Sequence, residues 1–299
     1  MISELKIVTI GVSELERSIS FYRDSFAYEV IGIGNFDGGN LGSDKEKFAV
    51  IGVPSIESGM MRLIEYGPDA KQVWGGYERP GDHGLYAINF RVPNMESAWP
   101  RIAEAGAVAR SEPHFWKVSD ELSVHDCMCF DPDGTLLDVF EMIITGPSKY
   151  GPLTLPASEV QNVVVHTEDA DTCRDFYCGF GYTANQDKTL EGLEEFLKLP
   201  KGTAIRNLNL AMNHLSPNGR IEISQYVGVE GRRLNASAPA LGIISASFQS
   251  DDFENDCALL EKIGAVPLVE AHVTRIPPYG DVRIAAFEGP DGERLELFG

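Results

Sequence analysis

The chain has 299 residues, 43% of them hydrophobic, and carries a formal charge of −20 with a pI near 4.6. The length admits about two domains of ~100–200 residues each. The charge repels phosphate backbones and anionic lipid, and no run of Lys or Arg makes a local exception, so nucleic acid and membrane are excluded as partners. Neither a basic, apolar leader nor a membrane-length apolar run is seen, and a cytoplasmic protein is expected. The five cysteines are odd in number and form no CxxC pair, which reads as small core residues in a reducing compartment.

In the first quarter the β-branched run from Leu5 to Val12 predicts a strand. Ser13 then caps a helix over 14–24, with Leu15, Ile19 and Tyr22 at helical spacing. Tyr28 to Gly32, Phe48 to Val53 and Met60 to Tyr66 complete a βαβββ module, interrupted by a Gly-rich stretch from Gly34 to Asp44. In the second quarter Tyr86 to Val92 is a strand, Asn94 caps a helix from Met95 to Ala105, and Gly106 stops it. The last hairpin turns on Asp131-Pro132-Asp133-Gly134, a pattern that suits a type I turn. Gly146 to Pro156, with three prolines and two glycines, reads as a linker. The third quarter turns on Ser216-Pro217-Asn218-Gly219 and the fourth on Gly289-Pro290-Asp291-Gly292.

The second and fourth quarters repeat each other in register. Phe90, Glu96, Gly106-Ala107-Val108, His114, Pro132-Asp133-Gly134 and Asp138 recur 158 positions later as Phe248, Glu254, Gly264-Ala265-Val266, His272, Pro290-Asp291-Gly292 and Glu296. A constant offset leaves no room for insertions, so both copies build the same elements. The first and third quarters match more loosely, through Phe21-Tyr22 and Phe176-Tyr177. The expected architecture is α+β: four βαβββ modules paired into two cupped eight-stranded mixed sheets with helices outside, divided as domains 1–145 and 155–299.

These modules, the helices opening onto Phe-Tyr and the D-P-D-G or G-P-D-G hairpins followed by an acid together resemble the vicinal oxygen chelate superfamily. That group includes glyoxalase I, methylmalonyl-CoA epimerase, bleomycin-binding resistance proteins and extradiol ring-cleaving dioxygenases. The four-module single chain is most similar in layout to the extradiol enzymes. The resemblance implies metal ligands on the first and last strands of each module, at Ile7, Arg62, Ala87 and Asp138 in one half and Asn162, Glu222, Ser245 and Glu296 in the other. Ile and Ala have no donor atom and Arg is a fixed cation, so no metal is expected in the amino-terminal cup, where Arg62 is expected to pair with Asp138. The carboxy-terminal cup lacks the imidazoles of an iron centre, but Glu222 and Glu296 leave room for Mg or Mn on oxygen donors.

Strand alternation adds Thr9, Asn89 and Arg91 to the amino-terminal cup, and His166, Ser224, Ser247 and Gln249 to the carboxy-terminal one. Of His125 and Asp126, alternation lets only one face inward. Glu222 and Glu296 are expected to share one cavity, where two carboxylates cannot both ionise cheaply and one becomes an acid or base. The expected catalytic set is Glu296, Glu222, His272 and His166, with Asn162, Ser245, Ser247, Gln249 and Tyr279 binding substrate. The expected activity is acid–base chemistry on a small oxygenated compound, as a lyase, isomerase or epimerase. Alternatives are a non-catalytic binding or resistance protein and a divergent extradiol dioxygenase. The expected partner is a small molecule, and a homodimer is admitted.

Overall fold

The structure, a computed structural model, describes residues 1–35, 46–146, 152–214, 216, 218–234 and 236–299. Most of the Gly-rich stretch, residues 147–151 of the linker and Pro217 of the third turn lie outside the described residues. The first module comprises β1 (Ile2–Val12), α1 (Leu15–Phe26), β2 (Glu29–Asn35), β3 (Lys47–Gly52) and β4 (Met60–Glu65), followed by a short β5 (Lys71–Gln72). The second comprises β6 (Gly84–Arg91), α2 (Met95–Glu104), β7 (Val108–Ala109), β8 (His114–Lys117), β9 (Leu122–Phe130) and β10 (Leu136–Ile144). The third has β11 (Asn162–His166), α3 (Ala170–Gly179), β12 (Thr183–Leu190), β13 (Ile205–Ala211) and β14 (Arg220–Tyr226). The fourth has β15 (Ala240–Ser250), α4 (Phe253–Lys262), β16 (Val266–Ile276), β17 (Gly280–Glu288) and β18 (Arg294–Phe298).

Period-two alternation gives each strand two distinct faces. In β1, Val8, Ile10 and Val12 pack toward the helices, whereas Ile7 belongs to a separate cluster on the opposite face. The helices lie on the outer faces of both sheets and join them into one core: Phe26 of α1 stacks on Phe90 of β6 at 4.5 Å, and Phe180 meets Phe248 of β15 edge-on at 5.3 Å. Each fully buried ring of this kind contributes about 1.5–3 kcal/mol. Among the described residues no helix is long and apolar enough to cross a membrane.

The strand order corrects the expected pairing of modules. One nine-stranded sheet runs β16-β17-β18-β15-β1-β4-β3-β2 with β5 beside β15, and the other runs β12-β13-β14-β11-β6-β10-β9-β7 with β8 beside β9. Modules one and four therefore share a sheet, and modules two and three share the other, so neither half 1–145 nor half 155–299 closes its own cup. The joints are antiparallel pairs of first strands, β1 with β15 and β11 with β6. Every module offers the same first-strand edge, so a repeat defines the module without naming its partner.

Within each half, the Phe-Tyr helix latches one module to the next across the two sheets. Tyr22 Oη donates to Asp131 Oδ2 at 2.9 Å, and Tyr177 Oη donates to Glu293 Oε1 at 3.0 Å, tying each helix to the hairpin turn of the next module. Asn94 caps α2 as expected, accepting from the Ser97 N–H at 3.0 Å, and Gly106 adopts φ +114° just beyond its end. Ser13 does not cap α1. It donates to Asp133, and Glu65 at the end of β4 accepts the Leu15 N–H at 2.8 Å instead. Glu141 of β10 does the same for Met95 of α2 at 2.9 Å.

Candidate active site

The cup of modules one and four is filled. Arg62 of β4 donates to Glu296 Oε2 of β18 at 2.5 Å and to Thr9 Oγ1 at 2.8 Å, and Ser247 Oγ donates to the same Glu296 oxygen at 2.8 Å. Burial pushes the Glu296 carboxyl up, but Arg62 and Arg294, the latter at 3.7 Å, outweigh it and hold it below its ordinary range. Ile7, Phe48, Met60, Ile244, Ile284 and Phe298 pack around this pair. The expected Arg62–Asp138 pair is thus replaced by Arg62–Glu296, because β4 and β10 lie in different sheets.

Most of the other expected site residues belong to this closed cup. Ser245 and Ser247 are fully buried in β15, and Gln249 lies beside Phe298. Tyr279 donates to the Glu57 carbonyl at 2.8 Å and packs on Phe298 at 4.9 Å. His272 sits on the edge strand β16 opposite Ile284, with Nδ1 3.1 Å from the Glu270 carbonyl. None of them shares a sheet with Glu222, so the expected Glu222–Glu296 cavity does not form.

The cup of modules two and three holds an open cavity of about 320 Å³. Glu222 of β14 lies on its floor. Its Oε2 accepts from Asn89 Nδ2 of β6 at 2.9 Å and from Asn162 Nδ2 of β11 at 2.5 Å, while Oε1 accepts from Asn207 Nδ2 of β13 at 2.7 Å. Four strands thus converge on one carboxylate. Burial pushes Glu222 up and the three amides pull it partly back.

Asp138 of β10 lies beside Asn89 in register and also lines the cavity. Its Oδ1 is a buried acceptor to which no described residue donates. Burial first, then the charges of Asp126 and Glu222, push its carboxyl well above the usual range. Asp126 is the inward-facing member of the His125-Asp126 pair. Trp116 Nε1 of β8 donates to its Oδ2 at 2.8 Å, its Oδ1 has no partner, and burial raises its pKa to about 7. Three acids, each held differently, thus line one cavity.

Tyr86, Trp116, Met128, Phe140 and Tyr226 form the walls, and Leu193, Phe196 and Leu197, from the segment between β12 and β13, close the top. Arg110 Nη2 donates to the Leu197 carbonyl at 3.2 Å, and Ser111 Oγ donates to that of Phe196. His166 is buried behind Tyr226, with ring centroids 4.3 Å apart. A carbonyl can only accept, so the contact of Nδ1 with Asp82 O at 2.8 Å places the proton on Nδ1. Burial lowers its pKa to about 3, which keeps the native ring neutral.

A divalent metal of the kind the resemblance implies does not fit these residues. In the closed cup the Arg62 guanidinium stands where a cation would, and in the open cup Ala87 offers no donor while both Glu222 oxygens already accept amide protons. The Mg or Mn site expected between Glu222 and Glu296 cannot form across two sheets. Among the described residues no group of three or more His, Cys, Asp or Glu is arranged to hold a metal ion.

Comparison with known proteins agrees with this architecture. Residues 4–139 match the Glyoxalase/Bleomycin resistance protein/Dioxygenase superfamily. This likeness covers the first two modules of the chain. The whole chain shares its fold with glyoxalase I from Zea mays, at 14% identity and a TM-score of 0.68 over 99% of this chain and 92% of that one. A Bacillus subtilis protein solved as a candidate dioxygenase gives 13% identity and a TM-score of 0.64, over 99% and 84%. No curated protein matches the sequence significantly.

Asn207, Trp116 and the lining residues Leu193, Phe196 and Leu197 of the open cup do not stand out in the sequence. Asn207 lies at i+2 from Ile205 on β13, and inward alternation there would have found it had β13 been placed as the neighbour of β14. Trp116 carried no signal, because its role depends on β8 folding back beside β9.

Proposed function

We propose that the chain is an enzyme of glyoxalase-superfamily type that moves a proton on a small, largely apolar, oxygenated compound held in the cup of modules two and three. The observation that carries this reading is the pair Glu222 and Asp138 lining the cavity, one cradled by three amides and the other with a buried Oδ1 to which no described residue donates. Amide hydrogen bonds favour the ionised form of Glu222, which acts as the base. Burial and two acidic neighbours keep the proton on Asp138, which acts as the acid.

The sequence of events is simple. The aromatic walls exclude water and orient the substrate. Glu222 removes a proton from a carbon or hydroxyl beside a carbonyl, Asp138 donates to the oxygen where charge develops, and the two exchange roles when the proton returns elsewhere. This describes an isomerase, epimerase or lyase. The cavity falls within the ~300–1,000 Å³ range of small-molecule sites.

Solvent deuterium exchange tests it. Small aryl ketones and α-hydroxy ketones are incubated with the protein in D₂O and followed by NMR. Exchange at the acidic carbon of at least one compound, reduced ~10²-fold or more in Glu222→Gln, is expected for a positioned base. A folded Glu222→Gln protein that exchanges at the wild-type rate contradicts the assignment.

A further inference from the structure

We infer that the ligand of this cavity carries a protonated amine and that Asp126 anchors it. This rests on the cup of modules two and three being the ligand site and adds the chemical class of the ligand.

Asp126 is 5% exposed, lines the cavity and leaves Oδ1 without a hydrogen-bond partner, while the Trp116 indole fixes its other oxygen at 2.8 Å. A buried carboxylate oxygen with no donor is costly, and no described residue supplies one. The single guanidinium among the described lining residues, Arg220, is engaged by Asn209 Oδ1 at 2.7 Å and by the Ser216 carbonyl at 2.7 Å. Asp126, Asp138 and Glu222 therefore face one cavity whose described lining carries a single guanidinium, already bonded to Asn209 and Ser216.

The surroundings of Asp126 suit an organic cation better than a bare ion. Trp116 and Phe140 flank it, the latter directly opposite in the β9–β10 register, and both line the same cavity. An ammonium group here gains a charge-assisted hydrogen bond to Oδ1 and the negative faces of the rings. Its apolar skeleton then fills the space below Phe196 and Tyr226, with Glu222 and Asp138 left to the oxygenated end. A carboxylate-bearing ligand in this orientation would meet three acids.

Calorimetric titration with three probes of one shape, 2-phenylethylamine, 2-phenylethanol and 3-phenylpropanoate, decides the matter without turnover. The wild-type protein is expected to bind the amine at least ~10-fold more tightly than the alcohol, as a desolvated ion pair requires, and the propanoate most weakly. Asp126→Asn, which keeps an oxygen for Trp116, is expected to lose that preference while binding the alcohol as before. A general structural defect would weaken both probes alike. Equal or tighter binding of the alcohol or the propanoate by wild type overturns the inference, as does the absence of binding by all three. Absence of deuterium exchange by the wild-type protein, or an unchanged rate in Glu222→Gln, with the amine preference intact refutes only the catalytic reading.

Discussion

Arg62 and Glu296 stand 234 positions apart in the sequence and meet at 2.5 Å inside a cup where Thr9 and Ser247 bond to the pair and apolar side chains pack around it. The pair closes the cavity that modules one and four would otherwise enclose. Burying two charges is offset only while both are present. Arg62→Met alone should destabilise the fold by about 3–5 kcal/mol, whereas Arg62→Met combined with Glu296→Leu should come within about 1–2 kcal/mol of wild type. Urea unfolding of the three proteins measures this. Because Glu296 has a lowered pKa, its contribution is present above the ordinary carboxylate range and is lost as pH falls through the folded value.

The open cup predicts the opposite sign. Asp126 and Asp138 have raised pKa values, Asp126 at about 7, and the titratable or charged groups facing them on the lining are Glu222, Arg220, Tyr86 and Tyr226. The native state holds each proton longer than the unfolded chain does, so these acids subtract stability as pH rises from ~4 toward the folded value. Asp126→Asn should therefore gain stability relative to wild type between about pH 4 and about pH 7, by on the order of a few kcal/mol, and the gain should level off above that. Denaturant unfolding at several pH values reads the curve.

His166 gives a third test. With its pKa lowered to about 3 by burial, the native imidazole stays neutral while the unfolded one protonates below ~6.5, so this residue costs stability as pH falls through that range. Nitrogen-15 NMR should show a neutral ring with the proton on Nδ1 throughout pH 5–8. A titration near ~6.5 would show that the ring is accessible and restore it as a proton carrier.

Much of this was legible in the sequence. The 158-residue register, the Asp131-Pro132-Asp133-Gly134 turn and the Asn94 cap are local signals, and local signals define a module. Alternation likewise placed Asn162, Glu222 and Asn89 on inward faces correctly. Which modules share a sheet is not local. The β1–β15 and β6–β11 joints use first-strand edges that every module presents, so Asn89 and Asp138 were assigned to one cup and Glu222 to another although they line the same cavity. Glu222 and Glu296 were joined for the same reason, although they belong to different sheets.

The most direct test of the account compares the two cups within one assay of deuterium exchange or turnover. Glu222→Gln removes the proposed base from the open cup, and the double variant Arg62→Met with Glu296→Leu removes the buried Arg62–Glu296 pair of the closed cup as a unit. With both proteins folded, activity should fall by ~10²-fold or more in Glu222→Gln and stay within a few-fold of wild type in the double variant. Loss of activity in the double variant, with Glu222→Gln still active, would place the chemistry in the cup of modules one and four and contradict the account.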